Sequence, residues 1–449
     1  MASEWPTKSI DELKAKSRAA IAIGPFGSRM KSDCYVPSGV PVIRGTNISD
    51  TRELVGELVY ITPEKAEEVK SSIIFADDLF FPHRGSIGLV GIVPRTGAAC
   101  YVQSSSMMKL TCDRSQVEPL YLFYFFRSAQ GRQELLKNAS TVGTPGIGQP
   151  LSSLKAIRVP YPPLAGQKAI AAVLGALDDK IELNRRMNAT LEAMARALFQ
   201  SWFVDFDPVR AKLDGRLPGG LDAATAALFP DHLEVTALGH IPKGWTAGKL
   251  GDIGTNSRRG VQPGDIAPNT PYIALEHMPR RCIALGDWDD SAEVASGKSA
   301  FKKGDILFGK LRPYFHKVGV APFDGVCSTD ILVLAPKSPE WFGFLLGHVS
   351  SDELIQFTDL ASTGTKMPRT NWGDINSFKV ALPPKPIAAV FTRSIQPMLD
   401  RIHVNLHQSR TLATLRDSLL PKLLSGELSV AGGNPPELPD SSKLGKVSL

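Results

Sequence analysis

Two short stretches of the sequence resemble parts of a methyl-transfer site, and each lacks a residue that the chemistry needs. Asn434-Pro435-Pro436-Glu437 follows the Asn-Pro-Pro-aromatic pattern used to methylate amino groups, but Glu437 stands where an aromatic ring would stack on the flipped base. Phe323-Asp324-Gly325-Val326-Cys327 follows most of a methyl-donor loop, but Cys327 replaces a glycine that close backbone approach requires. We therefore predict no methyl-transfer site in this chain.

Three further stretches carry residue types that are used in phosphate and metal chemistry. Gly297-Lys298-Ser299 ends like a P-loop, but Ala292 occupies the position of its first glycine. Pro230-Asp231 has the start of a nuclease metal site, but no Glu-x-Lys follows it. His403 and His407 have the helical spacing of metal ligands without a third ligand, and we interpret both as solvated side chains on the outer face of a helix. The sequence predicts no catalytic residue and no metal site.

Loop-like stretches rich in Arg, Lys, Ser, Thr and Asn offer a different chemistry. Recognition of DNA needs hydrogen-bonding groups that reach base edges and cations that contact phosphates. Each stretch alone is also compatible with an ordinary solvated turn, but their recurrence in both halves of the chain favours a shared binding face. The candidate DNA-binding residues are Arg44, Thr46, Asn47, Arg84, Ser105, Gly143 and Thr144 in the first half, and Arg258, Arg259, Lys310, Arg312, Thr329, Gly364, Thr365 and Lys366 in the second.

The elements that carry these residues occur twice. A strand-like run before Pro162-Pro163 returns before Pro383-Pro384, 221 positions later, and this offset continues without a gap for about sixty residues around the two pairs. It aligns Gly143-Thr144 with Gly364-Thr365. Nearer the start of each half the offset is larger, with Trp5 matching Trp245 at 240 positions. Variable loops on a constant frame explain this pattern.

The front of each half consists of short β-type runs punctuated by Gly and Pro and interrupted by helical stretches near residues 120–136 and 341–357. We predict an α+β domain with an irregular, mostly antiparallel sheet in each half.

In the segment that follows each front part, apolar residues recur at alternating intervals of four and three residues. This spacing is typical of the a and d positions through which two helices pair. The pattern predicts two long helices that can pair with each other, and they must run antiparallel if the two heads are to lie at opposite ends. The first helix would extend for roughly 55 Å at about 1.5 Å per residue. The alternative is that each helix packs only on its own domain. Asn184 and Asn188 beside Asn405 and Ser409 favour pairing, because a mutual polar layer fixes the register of two helices. Pro397 is expected to kink or restart the second helix.

The predicted organisation has six segments. They are a first recognition domain at 1–163, a central helix at 164–203, a connector at 204–240, a second recognition domain at 241–384, a C-terminal helix at 385–428 and a disordered tail at 429–449. The net charge of +6 permits a nucleic-acid partner without requiring one. The five cysteines lack metal-site spacing, and no apolar run is long enough to cross a bilayer, so we expect a soluble cytoplasmic protein.

Several of these stretches together resemble a known family. They are Trp202–Lys212 after the first long helix, Leu228-Phe229-Pro230 and Ile241–Trp245 before the second domain, the repeated Pro-Pro junction before each helix, and Asp305–Phe308 followed by Lys310 and Arg312. In these features, and over almost its whole length, the chain resembles the specificity subunits of type I restriction-modification systems. It departs from them at Gly166-Gln167, where many relatives carry Glu-Gln.

This resemblance implies two similar target-recognition domains separated by an antiparallel pair of long coiled-coil helices, with a pseudo-twofold internal repeat. Each domain would read one half of a bipartite, asymmetric sequence in double-stranded DNA. DNA adenine methyltransferase subunits, two of them, and an ATP-dependent restriction and translocase subunit would dock on the frame. S-adenosylmethionine, ATP and Mg are then expected on those partners, with no cofactor on this chain. The alternatives are a scaffold whose two heads bind something other than DNA, and a self-sufficient methyltransferase.

Overall fold

A computed structural model describes residues 5–26, 29–49, 51–140, 143–290, 296–362 and 367–430. The chain divides into two compact units, which we call unit 1 (Met1–Glu182 with Thr411–Leu449) and unit 2 (Leu183–Arg410). The six predicted segment boundaries stay a prediction, and most of the predicted disordered tail, residues 431–449, lies outside the described residues.

Unit 1 has two four-stranded sheets. Its strands are β1 Thr7–Ser9, β2 Ile21–Ile23, β3 Val40–Ile43, β4 Val59–Ile61, β5 Ile73–Ile74, β6 Leu79–Pro82, β7 Gly91–Ile92, β8 Tyr101–Gln103, β9 Met107–Leu110, β10 Ala139–Ser140, β11 Gly146–Ile147 and β12 Arg158–Pro160. Its short helices are α1 Ile10–Leu13, α2 Pro63–Glu68, α3 Pro119–Arg127, α4 Ala129–Leu136 and α5 Pro150–Ala156. The strand orders are β2-β9-β6-β7 and β4-β3-β8-β5, and β1 pairs with β12. The β3–β8 pair is parallel, and the other pairs of these sheets are antiparallel.

Two long helices contribute to both units. Helix α6 spans Leu164–Phe199, and a π-helical turn, Gln200–Val204, continues it. The remaining helices are α7 Asp207–Leu213, α8 Ala223–Leu228, α9 Leu250–Ile253, α10 Phe342–Val349, α11 Asp352–Ala361, α12 Trp372–Ser377 and the second long helix, α13 Lys385–Ser425. Among the helices that the structure describes, none combines the length and the apolar character needed to cross a membrane.

Unit 2 repeats the topology of unit 1. Its strands are β13 Leu233–Thr236, β14 Gly239–Pro242, β15 Thr246–Lys249, β16 Gly254–Asn256, β17 Gly260–Val261, β18 Pro271–Ile273, β19 Asp289–Asp290, β20 Lys298–Phe301, β21 Ile306–Gly309, β22 Val318–Val320, β23 Gly325–Cys327, β24 Ile331–Pro336 and β25 Lys379–Leu382. The orders β16-β24-β21-β22 and β19-β18-β23-β20 reproduce those of unit 1, with β17 added at one edge. The parallel pair recurs as β18–β23, and β15 pairs with β25 as β1 does with β12. The predicted α+β repeat is confirmed.

Apolar runs explain the central strands and the helices that cover them. Strands β6 and β21 are buried at every position. The aromatic helix α3 packs on β6, with the rings of Phe81 and Phe126 edge to face at 4.9 Å. Each helical stretch predicted near residues 120–136 and 341–357 is two helices, because Ser128 and Ser351 cap the second one by accepting a backbone N–H.

The two long helices pair antiparallel, as predicted. In unit 1 the Arg416 guanidinium donates to Asp178 at 2.7 Å. In unit 2, Asn405 donates to Asn188 at 2.8 Å and Asn184 donates to Gln408 at 2.9 Å. The interpretation in which each helix packs only on its own domain is therefore wrong.

Helix α13 is continuous across Pro397, so it does not restart there, and the alternative of a kink at Pro397 stays a prediction. The neighbouring Ile395 and Leu399 are buried in the core of unit 2 on either side of the proline. Their packing offsets the backbone hydrogen bond that proline removes.

Candidate nucleic-acid interface

In unit 1 the loops that carry the candidate residues hydrogen-bond to one another through their backbones. Ser104 N–H donates to Ile43 O at 2.9 Å, His83 N–H donates to Ser106 O at 2.9 Å, and Gly85 N–H donates to Pro145 O at 2.9 Å. These bonds hold residues 44–47, 83–86, 104–106 and 143–147 side by side, and we call this set the loop edge of unit 1.

Unit 2 has the same three bonds. Ser328 N–H donates to Ile273 O at 3.0 Å, Lys310 N–H donates to Asp330 O at 2.9 Å, and Arg312 N–H donates to Pro368 O at 2.7 Å. These bonds hold residues 274–277, 310–312, 328–330 and 367–371 side by side. Together with residues 257–262, which apart from Arg259 line the same cleft as Lys310 and Thr329, they form the loop edge of unit 2. It brings together Lys310, Arg312 and Thr329, which come from two separate stretches of the sequence.

A cleft of about 820 Å³ opens at the loop edge of unit 2. Four cations line it, namely Arg258, Lys298, Lys310 and Arg369, and the described lining residues include no carboxylate. Hydrogen-bonding side chains interleave with them, namely Asn256, Ser257, Gln262, Ser299, Thr329, Thr370 and Asn371, together with the ring of Trp372. Cations with interleaved donors and acceptors are the groups that DNA phosphates and base edges require.

The cations of the cleft are positioned in different ways. Lys298 is 9% exposed, donates to the Ser296 carbonyl at 3.0 Å, and lies 5.5 Å from the centre of the Tyr272 ring. Arg369 is exposed and its guanidinium lies 3.3 Å from the carboxylate of Asp330. Arg258 is exposed and Lys310 is half-buried. The cleft thus combines a buried cation with exposed ones.

One candidate residue, Asn47, has structural bonds that occupy its polar groups. Asn47 is 1% exposed, accepts the Arg44 N–H at 2.9 Å and donates to Val55 O at 2.8 Å. In unit 2 the same turn is closed by His277, which accepts the Ala274 N–H at 3.0 Å. The repeat therefore favours a turn-capping role for Asn47 over base reading.

Two candidate arginines are also bonded within their own units. The Arg259 guanidinium donates to Asp305, whose carboxylate also accepts the Lys302 N–H at 2.8 Å. Arg44 donates to the Glu57 carbonyl at 2.9 Å. Arg259 therefore supports the loop edge more than it lines the cleft.

The remaining candidates of unit 1 are at the surface. Arg84 is exposed and forms a backbone bridge with Gly146. Further exposed candidates are Thr46, Ser105, Gly143 and Thr144 in unit 1, and Thr329 in unit 2. Gly143 has a left-handed φ of 75°, which a glycine adopts without strain.

Gly364, Thr365 and Lys366 lie outside the described residues. The predicted alignment of this loop needs a correction nearby. Pro145 and Pro368 accept the corresponding hydrogen bonds and are 223 positions apart (368 − 145), whereas the sequence repeat has an offset of 221. The loop of unit 2 is therefore two residues longer than the sequence repeat indicates.

Sequence patterns do not indicate Arg369, Gln262 and Asn371 as site residues, and they relate Lys298 only to the end of a P-loop. Arg369 follows the candidate Lys366 by three residues, and this proximity is the one available signal. Backbone contacts of the folded chain show that this loop lies beside Lys310: Leu311 forms a β-bridge with Arg369, and Thr370 N–H donates to Lys310 O at 3.0 Å.

The prediction for the two histidines is half wrong. His403 is buried, and burial lowers its pKa, whereas His407 is exposed and its ring lies beside Trp288. Within the described ranges, no group of three His, Cys, Asp or Glu residues is arranged to hold a metal ion.

Comparisons with known proteins agree with this architecture. Residues 26–193 match the family model described as the type I restriction modification DNA specificity domain. The chain is 27% identical over 387 residues to the type I restriction enzyme MjaIX specificity subunit of Methanocaldococcus jannaschii, covering 82% of each chain. It is 26% identical over 380 residues to the HindI specificity subunit of Haemophilus influenzae, covering 73% of this chain and 81% of that one.

The fold is also similar to that of a solved structure. The crystal structure of the type I restriction-modification system S subunit from M. genitalium aligns over 94% of this chain and 96% of that chain, with a TM-score of 0.54 and 15% identity. The shared features define a class of proteins in which two similar α+β domains accompany two long helices. Over most of its length the chain is similar to specificity subunits of type I restriction-modification systems, and residues 26–193 match the DNA specificity domain of those systems.

Proposed function

We propose that this chain is the sequence-specific DNA-binding subunit of a type I restriction-modification complex and that it recognises a bipartite, asymmetric target. The cation-lined cleft of unit 2 is the observation that carries the proposal. Its positive charges suit phosphates, and the side chains between them suit base edges. The similarity to named specificity subunits supports the same function and does not favour a scaffold that binds something other than DNA.

Each recognition domain reads one half of the target in this proposal. The repeated strand order and the three repeated backbone bonds give both units the same kind of loop edge. The side chains differ at corresponding places, with Ser105 of unit 1 matching Thr329 of unit 2 and His83 matching Lys310. Two equivalent frames with different side chains suit a target whose halves differ.

The chain itself performs no catalysis in this proposal. Two DNA adenine methyltransferase subunits and an ATP-dependent restriction and translocase subunit assemble on it, and S-adenosylmethionine, ATP and Mg belong to those partners. The incomplete methyl-donor loop supports this division, because Cys327 is a buried β23 residue. A self-sufficient methyltransferase would bind the methyl donor alone, so an equilibrium titration of the isolated chain with S-adenosylmethionine is expected to give no saturable binding.

A domain exchange tests the division of reading. Residues 1–163 are replaced by the corresponding domain of another specificity subunit, and the methylated sequences of the host genome are determined with the partner subunits present. We expect one half of the methylated sequence to change and the other to stay. The matched control exchanges 241–384 and should change only the other half. An unchanged methylated sequence after either exchange would refute the assignment.

A further inference from the structure

The turn that follows the cleft residue Lys310 has an unusual backbone. Arg312 and His316 both have a φ of 50°, and they enclose the 3-10 turn Pro313–Phe315. This left-handed conformation brings the β-carbon of an ordinary residue too close to the next carbonyl oxygen. Residues held in it are concentrated at sites where the side chain is used.

Unit 1 shows that the fold does not need these side chains. The corresponding connection between β6 and β7 has Gly85 and Gly88 in the left-handed region, with φ of 80° and 82°. Gly85 makes the same bond, to Pro145, that Arg312 makes to Pro368. Glycine satisfies the backbone at this place in unit 1, so Arg312 in unit 2 points to a role for its side chain.

Positive charges converge on one ring of this turn. The Arg280 guanidinium lies 4.0 Å from the centre of the Phe315 ring, and the Arg312 guanidinium lies 5.8 Å from it. Tyr314 is 50% exposed and its ring meets that of Phe315 edge to face at 4.8 Å. The Phe315 ring therefore helps to hold the two cations in place.

Lys317 adds a third positive charge to this group. Its ammonium donates to the Leu275 carbonyl at 2.6 Å. Burial, and then the nearby charge of Arg280, lower the pKa of Lys317. The Glu276 carboxylate acts on the pKa of Lys317 in the opposite direction and offsets part of the effect of Arg280. An added anion would relieve the repulsion between Arg280 and Lys317 further.

The turn is continuous with the DNA-binding cleft. Lys310 lines the cleft two residues before Arg312, and Leu311 bridges to Arg369 on the other side. Guanidinium groups match phosphate oxygens in pairs of hydrogen bonds. We propose that Arg280 and Arg312, held on Phe315, form a phosphate clamp that grips the DNA backbone at unit 2 whatever its base sequence. This rests on the proposed function, in which unit 2 binds duplex DNA.

The test uses the full chain and a pool of random-sequence duplexes, because phosphate binding does not require the target sequence. Affinity is measured over a series of NaCl concentrations for the wild type, Arg312→Gly and Arg280→Ala. Each variant is expected to reduce the slope of log affinity against log salt by about 0.9 for each phosphate group that it no longer binds. Glycine suits the left-handed position, so Arg312→Gly should keep or raise the melting temperature.

The matched control is Lys379→Ala, which removes one exposed positive charge from β25 of the same unit and should leave the slope unchanged. If the wild-type chain shows no salt-dependent binding to duplex DNA, the proposed function itself is refuted. A wild type that binds, with slopes unchanged in both arginine variants, would overturn the clamp alone. The clamp is also overturned if Lys379→Ala lowers the slope equally, or if the variants relax the methylated sequence of the assembled complex with the slope intact.

Discussion

Arg259 and Arg369 both belong to the loop edge of unit 2, but their carboxylate partners differ in burial. Asp305, the partner of Arg259, has a side chain that is 12% exposed, and it also caps a backbone N–H. Asp330, the partner of Arg369, has a side chain that is 28% exposed, and Arg369 itself lines the open cleft. One arginine therefore stabilises the fold, whereas the other lines the open cleft.

This difference predicts opposite outcomes for two matched substitutions. Arg259→Ala should lower the free energy of unfolding by about 1–3 kcal/mol, because it leaves a largely buried carboxylate without its partner. Arg369→Ala should change stability by less than about 0.5 kcal/mol and should reduce the salt slope of DNA binding by about one. Chemical denaturation and a salt series of DNA affinity measure the two effects. Equal stability losses would contradict the distinct roles assigned to the two arginines.

His348 makes the stability of unit 2 depend on pH. Its ring lies between Phe199 and Phe344, its Nε2 is buried, and burial lowers its pKa from 6.5 to about 3. The unfolded chain takes up a proton below pH 6.5 and the folded chain does not. With respect to this group, the free energy of unfolding is at its full value above pH 6.5. It decreases as the pH falls towards 3, by up to about 1.4 kcal/mol per pH unit.

Replacing this histidine tests the assignment. His348→Leu removes this titrating group and should reduce the fall in melting temperature between pH 6.5 and 4, while the buried His403, whose pKa is also lowered, keeps part of the dependence. His407→Leu is the control, because it makes the same change of residue type at an exposed position of the same unit. If the melting temperature of the His348 variant depends on pH as strongly as that of the wild type, other groups control stability in this range.

Helix α6 forms one buried and one exposed ion pair through the neighbouring carboxylates of Asp178 and Asp179. The Asp178 side chain is 1% exposed, binds Arg416 of α13 at 2.7 Å and accepts the Tyr124 hydroxyl at 2.7 Å. The Asp179 side chain is 64% exposed and pairs with Arg52. Removing one partner of a buried pair leaves an uncompensated charge, whereas exposed pairs contribute little.

Alanine at these two positions should therefore have unequal effects. Asp178→Ala should lower the free energy of unfolding by about 3–5 kcal/mol, and Asp179→Ala should lower it by less than about 1 kcal/mol. Denaturant titration of the two variants measures this directly. Similar losses would mean that Asp178 does not link the helices as the hydrogen bonds indicate.

The sequence predicted those elements whose signal is local or repeated. The seam that contains Asn184 and Asn405 identified the helix pair, because a period of 3.5 residues is visible in a single segment. The break at Ser128 was missed, since it falls inside a continuous helical stretch and is marked only by the capping bond that begins α4. The cleft could not be predicted, because the bridge from Leu311 to Arg369 joins segments that no local pattern relates.

The duplication of the chain makes the two predicted recognition domains candidates for exchange with each other. Both use the same strand order, and both enter their long helix through a Pro-Pro junction at one constant offset. A chain in which a second copy of 241–384 replaces 1–163 joins that copy to the same helix at an equivalent position. If each domain reads independently, both halves of the target are then read by the same side chains.

The complex of this chimera with its partner subunits is expected to methylate a symmetric target. Both halves of that target would be the half-sequence that residues 241–384 read. Genome-wide detection of methylated bases gives the sequence directly. A second chimera with Lys310→Ala in both copies should lose affinity for both halves, which separates reading by the cleft from reading elsewhere in the domain. A folded, assembled chimera that still methylates the original asymmetric sequence would contradict independent reading, because no side chain of the first domain would remain to specify it.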